Sequence, residues 1–391
     1  MDSKIINFQF LLLLLQKEIN YNKLITIVET NSLDYDYLYK FSIKHGILPL
    51  VYTNLKKLPN IPSNRLDKFK TTYMSIAKKN MLMSSELIKI LQILKADNIN
   101  VIPFKGPVLA KLAYEDITLR QFGDLDIFVS KSDFDRISSL LLEKDYDPYY
   151  PIEQYKTAKK TLFELNNDVP FFHKEKKISI EIHWYFFRKL YISTSLLNPW
   201  ENQQIVQINN YNINTLSHST HLLYHSLHGS KHIWEKFVWI VDIDRFIRNI
   251  EDIDWHDILD IATQMGVKKM FLLGPALAKY YLDTPLPSYI LDEISKAKLD
   301  NIIQYIDKEF KSEKQTPEDS LSKLYKVILL KDNLFYKTMT LFEFIFKPGM
   351  NERRMIILSD NLFGLYWLIR PLGMIYRFVI YKIFKSYNHN N

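Results

Sequence analysis

Two aspartates one residue apart, Asp124 and Asp126, stand in RQFGDLDIFVS (residues 120–130). Leu125, Ile127 and Val129 alternate with them, a period of two that predicts a strand with one apolar face and both carboxylates on the other. At the usual strand rise the two acids lie about 7 Å apart. Like charges at neighbouring same-face positions repel, and Asp is a poor strand former. A divalent cation between them would relieve that repulsion. A third acid, Glu181, falls on a second predicted strand, where Ile178, Ile180, Ile182 and Trp184 face one way and Ser179, Glu181, His183 and Tyr185 the other. If the two strands pair, three carboxylates meet at one end of one sheet face. Oxygen ligands of that kind suit Mg2+, or Mn2+, commonly shared with substrate phosphates. Such ions clamp the attacking and departing oxygens of a phosphoryl or nucleotidyl displacement. Gly123, just before the pair, permits close backbone approach, and Lys105, Gly106 and Arg120 bring the positive charge and open backbone that a metal–triphosphate complex needs. The competing reading is a solvated sheet face that acids simply mark.

A second group of chemistry-bearing residues is a stripe of histidines, His218, His221, His225, His228 and His232, recurring at spacings of three and four. On a helix they share one face, and imidazoles at i and i+4 are good zinc ligands. No H-E-x-x-H accompanies them, and the stripe is too long for a single ion. Leu222, Leu223 and Leu227 supply a neighbouring apolar face. Histidines packed at a helix–sheet contact are the expectation.

The elements that must position these residues read as follows. Residues 1–97 are helical, with a break at Gly46–Pro49 and a clear amphipathic run in SSELIKILQILKADN. NVIPFKG (100–106) is a short strand and turn, and PVLAKLAYED a helix with proline in its first turn. DLDIFV is the next strand, and SDFDRISSLLLEKDY a helix capped by Ser132. FFHKEKKISIEIHWYFF (171–187) is a hairpin turning through KEKK, and IVQINNYNINTL (205–216) another turning at Asn-Asn. From Ser217 the chain is helical again, with KSEKQTPEDS (311–320) as a polar linker. Three regions result: N-terminal helices (1–97), a small mixed sheet (98–216) and C-terminal helices (217–391), an α+β arrangement.

Bulk properties narrow the classes. The chain has 391 residues, 47% hydrophobic, with 51 basic and 44 acidic residues for a formal charge of +7, which suits anionic partners without choosing among them. With no cysteine, disulfides, thiolate zinc sites and cysteine nucleophiles are excluded. FQFLLLLL near the start lacks a basic flank and a cleavage site, so a buried first helix and a cytoplasmic location are expected. LFGLYWLIRPLGMIYRFVIYKIF (362–384) is apolar but interrupted by Arg370, Pro371, Arg377 and Lys382. It reads as a helix pair docked on the body, with weak peripheral contact to anionic lipid as the other reading.

FKGPVLAKLAY, R-x-x-GDLDIFV and IEIHW, in that order, resemble the uncharacterised nucleotidyltransferase family, a branch of the DNA polymerase β-like nucleotidyltransferases. The resemblance extends to FSIKHGILPLVYTNL upstream, and to LLYHSLHGSKHIWEKFVWIVDI, IDWHDILDIATQMGV and TPLP (284–287) downstream, and so covers most of the chain. It implies a small nucleotidyltransferase sheet flanked by helical regions. The implied reaction moves a nucleoside monophosphate from an NTP, ATP by default, to an acceptor hydroxyl or phosphate with release of pyrophosphate. Asp124 and Asp126 then look like the Mg2+-binding pair, and Glu181 like the third acid, a ligand or general base. Gly106 looks like the glycine that holds phosphates at a helix N-terminus. His228, Lys231 and His232 match the family's helix, from which they would reach a phosphate or the acceptor. One departure stands out: Lys105-Gly106-Pro107 replaces the superfamily's usual Gly-Ser, and Pro107 has no N–H to donate. That departure supports a rival, a catalytically inactive binding module in a biosynthetic or regulatory assembly. The acceptor, whether sugar, lipid-linked intermediate, peptide, protein or RNA, leaves no signature of its own.

Overall fold

In a computed structural model of the protein, residues 3–59, 61–150, 158–187, 196–312 and 320–389 are described. The first hundred residues form helices α1 (Ser3–Leu15), α2 (Tyr21–Thr30), α3 (Tyr35–Lys44), α4 (Leu48–Leu55) and α5 (Ser63–Ala96). The apolar start of the chain is a buried helix: Phe8, Phe10, Leu11, Leu14 and Leu15 are all in the core. Asn20 and Asp34 begin α2 and α3 by accepting the backbone N–H of Lys23 and Tyr37, satisfying donors that a helix start leaves free. Gly46 at φ +74° and Pro49 in the first turn of α4 separate α3 from α4.

The sheet region alternates strand and helix: β1 (Val101–Pro103), α6 (Gly106–Tyr114), β2 (Asp124–Val129), α7 (Phe134–Leu142), β3 (Tyr146–Pro148), α8 (Lys159–Leu165), β4 (Asp168–His173) and β5 (Ile178–His183). The five strands lie in the order β1-β2-β5-β4-β3. β2 and β5 are parallel and every other pair is antiparallel. The KEKK turn closes the β4–β5 hairpin. A second hairpin, β6 (Gln204–Ile208) and β7 (Tyr211–Thr215), forms its own two-stranded sheet, turning at Asn209 and Asn210, which both hold positive φ (48° and 62°), as a two-residue hairpin turn requires. Helices α9 (His218–Lys231), α10 (Phe237–Asn249), α11 (Trp255–Gln264), α12 (Lys268–Leu282), α13 (Ser288–Ala297), α14 (Asp300–Lys311), α15 (Ser320–Leu329), α16 (Leu334–Phe346), α17 (Met350–Met355) and α18 (Tyr366–His389) follow. The fold is α+β, a small mixed sheet with helical regions before and after it.

Three local expectations are corrected or displaced. Ser132 does not cap a helix: Lys131–Asp133 is a 3-10 turn, α7 starts at Phe134, and the Ser132 hydroxyl meets that of Ser130. Residues 362–384 are not a helix pair, because α18 runs on through Pro371. Of the polar linker, residues 313–319 lie outside the described residues.

Two apolar cores flank the sheet. The first holds Leu125, Ile127, Val129, Ile178, Ile180 and Ile182 from one sheet face, with Met83, Leu87, Ile90, Leu91 and Leu94 of α5 and Ile137 and Leu141 of α7. The second joins helices from both ends of the chain, α1, α3 and α4 with α9, α10 and α12, and reaches the sheet through Phe104, Phe128, Phe186 and Phe187. The face that carries the carboxylates is therefore not a solvated surface. It is an acidic band bordered by aromatic rings, and Asp126 is only 2% exposed.

One buried amide ties the segment before β2 to the long helix. The Asn80 side chain donates to the carbonyls of Ile117 and Arg120, both at 2.7 Å. Replacing it leaves two backbone acceptors without those partners. Asn80→Leu is expected to lower stability by about 2 kcal/mol, read as a lower urea midpoint at unchanged slope.

Candidate active site

The parallel register of β2 and β5 sets Asp124 opposite Ser179, Asp126 opposite Glu181 and Phe128 opposite His183. Paired residues share a face, so Asp124, Asp126, Glu181 and His183 all project from the side away from the isoleucines. One ligand atom from each of Asp126, Glu181 and His183 lies within 4.8 Å of the others, the one such group of three metal-capable side chains found among the described residues.

Asp126 is the centre of the arrangement. Its Oδ1 accepts from Lys105 Nζ at 2.6 Å and lies 3.1 Å from His183 Nε2. The same His183 nitrogen is 3.3 Å from Glu181 Oε2. Burial pushes the Asp126 carboxyl up, but the Lys105 ammonium and His183 outweigh it and hold the group below the usual carboxylate range. Burial lowers His183, yet its bonds to Asp126 and Glu181 carry it up to about 9. Asp124 has no such partner: burial, then repulsion from Asp126 and Glu181, raises it to about 6. The crowding of acids is thus met in part by the chain's own cations.

The fit to a divalent cation rests on one atom. Asp126 Oδ2 is buried with no hydrogen-bond partner, a costly state for a carboxylate oxygen. It lies on the face shared with Asp124 and Glu181, hard oxygen donors of the type that Mg2+ or Mn2+ prefers. These residues fit such an ion, and His183 becomes a nitrogen donor at the same place only on losing the proton that its bonds to Asp126 and Glu181 favour.

The other sequence-predicted residues divide. Lys105 caps α6 directly beside the acids, its side chain 20% exposed, with Phe104 and Tyr224 under its ammonium. Gly106 has φ +50°, and a Cβ there would come within 3.0 Å of the Asp124 carbonyl, so the start of α6 is pressed against the start of β2 in a way only glycine allows. Gly123 is exposed, and a Cβ would meet nothing within 4 Å. Arg120 is paired with another helix: its Nε and Nη2 donate to Asp242 on α10 at 2.8 and 2.9 Å, and Tyr114 on α6 donates to the same carboxylate at 2.7 Å.

The histidine stripe does line one side of α9, but its members differ. His221 is buried with Nε2 3.0 Å from the Thr215 hydroxyl, which itself donates to the Pro103 carbonyl. That direction makes Nε2 the donor, and burial, with Nδ1 left without a hydrogen-bond partner, disfavours a second proton there. His228 stacks on Tyr224 and lies edge-on to Trp239, and His232 packs beside both His228 and Trp239. Lys231 lies over the Phe187 ring. Burial lowers His221 and His232 to about 3, and lowers His225 and His228 as well. Their packing against rings and core is what the stripe expresses. Lys105 adds to the lowering of His228 and His232, which sets their part of α9 beside the acidic band.

Sequence reasoning passed over three residues. In the sequence, His183 shows only that it faces the same way as Glu181. Asp168, the first residue of β4, pairs with His183 and lies in the field of Glu181, Lys105 and Asp126; counting back from the four-residue KEKK turn would have found it. Asp242 sits inside an amphipathic helix, with no local signal that it would meet Arg120.

Residues 31–283 match the family described as uncharacterised nucleotidyltransferase. A solved structure, an antigenic nucleotidyltransferase-like protein from Paracoccidioides brasiliensis, is similar at 13% identity over 52% of this chain and 93% of that one, with a TM-score of 0.30. At that score the likeness adds nothing to the fold described above. No curated protein matches.

The neutral imidazoles make acid sensitivity a direct test of the packing. His45 and His221 are both held at about 3 by burial, while in the unfolded chain they take a proton near 6.5. The unfolded state then binds more protons, so stability is full above about pH 6.5 and falls as pH drops toward 3. Each imidazole should cost up to about 1.4 kcal/mol per pH unit well below pH 6. Urea midpoints at pH 7.5, 6 and 5 are expected to fall in that order, and His221→Gln is expected to flatten the slope.

Proposed function

The chain belongs to the uncharacterised nucleotidyltransferase family, and we propose that it is a Mg2+-dependent enzyme that transfers a nucleoside monophosphate from an NTP to an acceptor hydroxyl or phosphate. Family membership supports nucleotidyl transfer in general and an NTP as donor. One observation carries the finer reading: Asp126 faces Glu181 across a parallel strand pair, Asp124 lies on the same face, and the second Asp126 oxygen is buried without a partner.

In this reading Asp124 and Asp126 hold the cation. Glu181, half-exposed on the neighbouring strand, completes the ligand set or takes the proton of the acceptor hydroxyl as it attacks the α-phosphorus. When bound, the cation supplies positive charge to the reacting phosphate and the departing pyrophosphate. Lys105 is the ammonium within reach of the phosphates, and the start of α6 at Gly106 adds the partial positive charge of a helix N-terminus. His228, Lys231 and His232, on the helix beside the acids, would contact a phosphate or the acceptor. Gly123 leaves open space at the entrance to β2. Arg120 acts through Asp242, bracing the segment that leads into the acids; it is a positioning residue. His183 holds Asp126 and Glu181 at a fixed separation, and Asp168 braces His183 from β4. Because the chemistry consists of positioning and charge stabilisation, a small sheet with these groups suffices.

A second reading has its own observations. Lys105 already pairs with Asp126, and Pro107 removes a phosphate donor at the helix start. Both are compatible with a binding module that keeps nucleotide affinity without turnover.

One set of measurements separates the two. Purified protein is incubated with each labelled NTP and Mg2+ or Mn2+, with cell extract as the source of acceptor. Label transfer is expected from the wild type and should fall at least about a hundredfold in Asp124→Asn and Asp126→Asn. In parallel, Mg2+ should raise the melting temperature of the wild type, as a ligand of the folded state does, and the shift should vanish in Asp126→Asn. Nucleotide binding without transfer would favour the module. Transfer indifferent to both aspartates would end the proposal.

A further inference from the structure

The charge of this chain is not spread along it. Residues 320–391 hold 11 of the 51 basic residues and 4 of the 44 acidic ones, an excess that equals the +7 of the whole sequence. The remainder is therefore balanced. The same region carries the exposed apolar groups. Of the 30 large hydrophobic side chains exposed among the described residues, 19 fall between Leu321 and Tyr376, and scattered single exposures do not produce such a concentration.

The last helix, α18, is turned inside out. Arg370 and Arg377 of α18 point inward, where both reach Oε1 of the buried Glu352, at 3.0 and 2.8 Å. Leu368, Leu372 and Ile375, spaced four and three apart on that helix, are 69%, 67% and 61% exposed, and so form one outward stripe. Polar bonds likewise anchor the inner side of the segment. Asp332 accepts the backbone N–H groups that begin α12, at Lys268 and Lys269. Tyr336 donates to the Gln264 carbonyl, and Asp360 accepts from the backbone of Lys160 and Thr161 at α8. Leu334 and Phe335 of α16 are exposed beside them, with Trp367 and Tyr376 among the aromatic members of the surface. In a helix that faced only water, the leucines would point inward and the arginines out.

We infer that residues 320–377 form a surface that docks on an anionic lipid bilayer, with the apolar and aromatic side chains entering the headgroup region and the positive excess of residues 320–391 drawing the chain to it. Both signals are needed, since apolar insertion and electrostatic attraction each contribute part of interfacial binding. No helix among the described residues is long and apolar enough to cross a membrane, so the contact is one of lying on the surface. The inference is independent of the transferase reading, because vesicle binding is measured without nucleotide.

The test is co-sedimentation of the full chain with phosphatidylserine–phosphatidylcholine vesicles, with pure phosphatidylcholine vesicles alongside. Binding to the anionic vesicles is expected. It should weaken at high salt, and weaken at least about tenfold in Leu368→Glu/Leu372→Glu/Ile375→Glu. Leu334→Glu/Phe335→Glu on α16 is an independent variant, so misfolding of one set does not decide the outcome. Failure to sediment overturns the proposal. Binding that both variant sets leave intact also overturns it, as simple charge adsorption. A concentration-dependent dimer that the substitutions dissolve, with no vesicle binding, overturns it in favour of a second copy of this chain.

Discussion

The arrangement depends on the register between β2 and β5. Both strands bury one face completely, with Leu125, Ile127 and Val129 on one and Ile178, Ile180 and Ile182 on the other. A slip of a single residue would turn one isoleucine set toward the acids and one acidic set toward α5. Apolar burial on one face thus specifies the position of charge on the other. Asp126 and Glu181 are level with each other because Leu125 and Ile180 are level on the reverse side.

Placing several carboxylates on a face that is largely covered carries a penalty, since a buried charge must be paired. The chain answers with Lys105 from the loop after β1 and His183 from β5, both on Asp126 Oδ1. Lys105 arrives there because Gly106, at positive φ, lets α6 start in contact with the Asp124 carbonyl. The loop that positions the cation and the strand that carries the acids are therefore one packed unit. α6 is in turn held from behind, where Tyr114 and Arg120 converge on Asp242 and Asn249 of α10 donates to the Ala113 carbonyl.

The helical regions have two distinct relations to the sheet. α9 and α10 share the large core with the N-terminal helices and close the aromatic border of the acidic face. The helices after residue 320 attach through Val327 and Leu330, which join the large core, and through polar bonds, and they leave many other apolar side chains outward. A frame and an appended amphipathic surface are joined in one chain.

Period-two alternation, the KEKK and Asn-Asn turns and the proline-started helix α6 are local properties, and they were legible: each depends on residues within a few positions of one another. The common face of Asp124 and Asp126 follows from the same periodicity, and so does the orientation of Glu181 on its own strand. The charge excess of residues 320–391 is likewise written in composition. The cation that meets each carboxylate was not legible. Arg120, adjacent to the acids in order, pairs with Asp242, 122 positions away. Lys105, 21 positions from Asp126, lies on it, and Asp168 enters only when a hairpin closes. The inverted face of α18 was also hidden, because the buried Glu352 that draws in its arginines belongs to another helix. Long side chains take partners that packing brings within reach, and that choice is made by the folded chain as a whole.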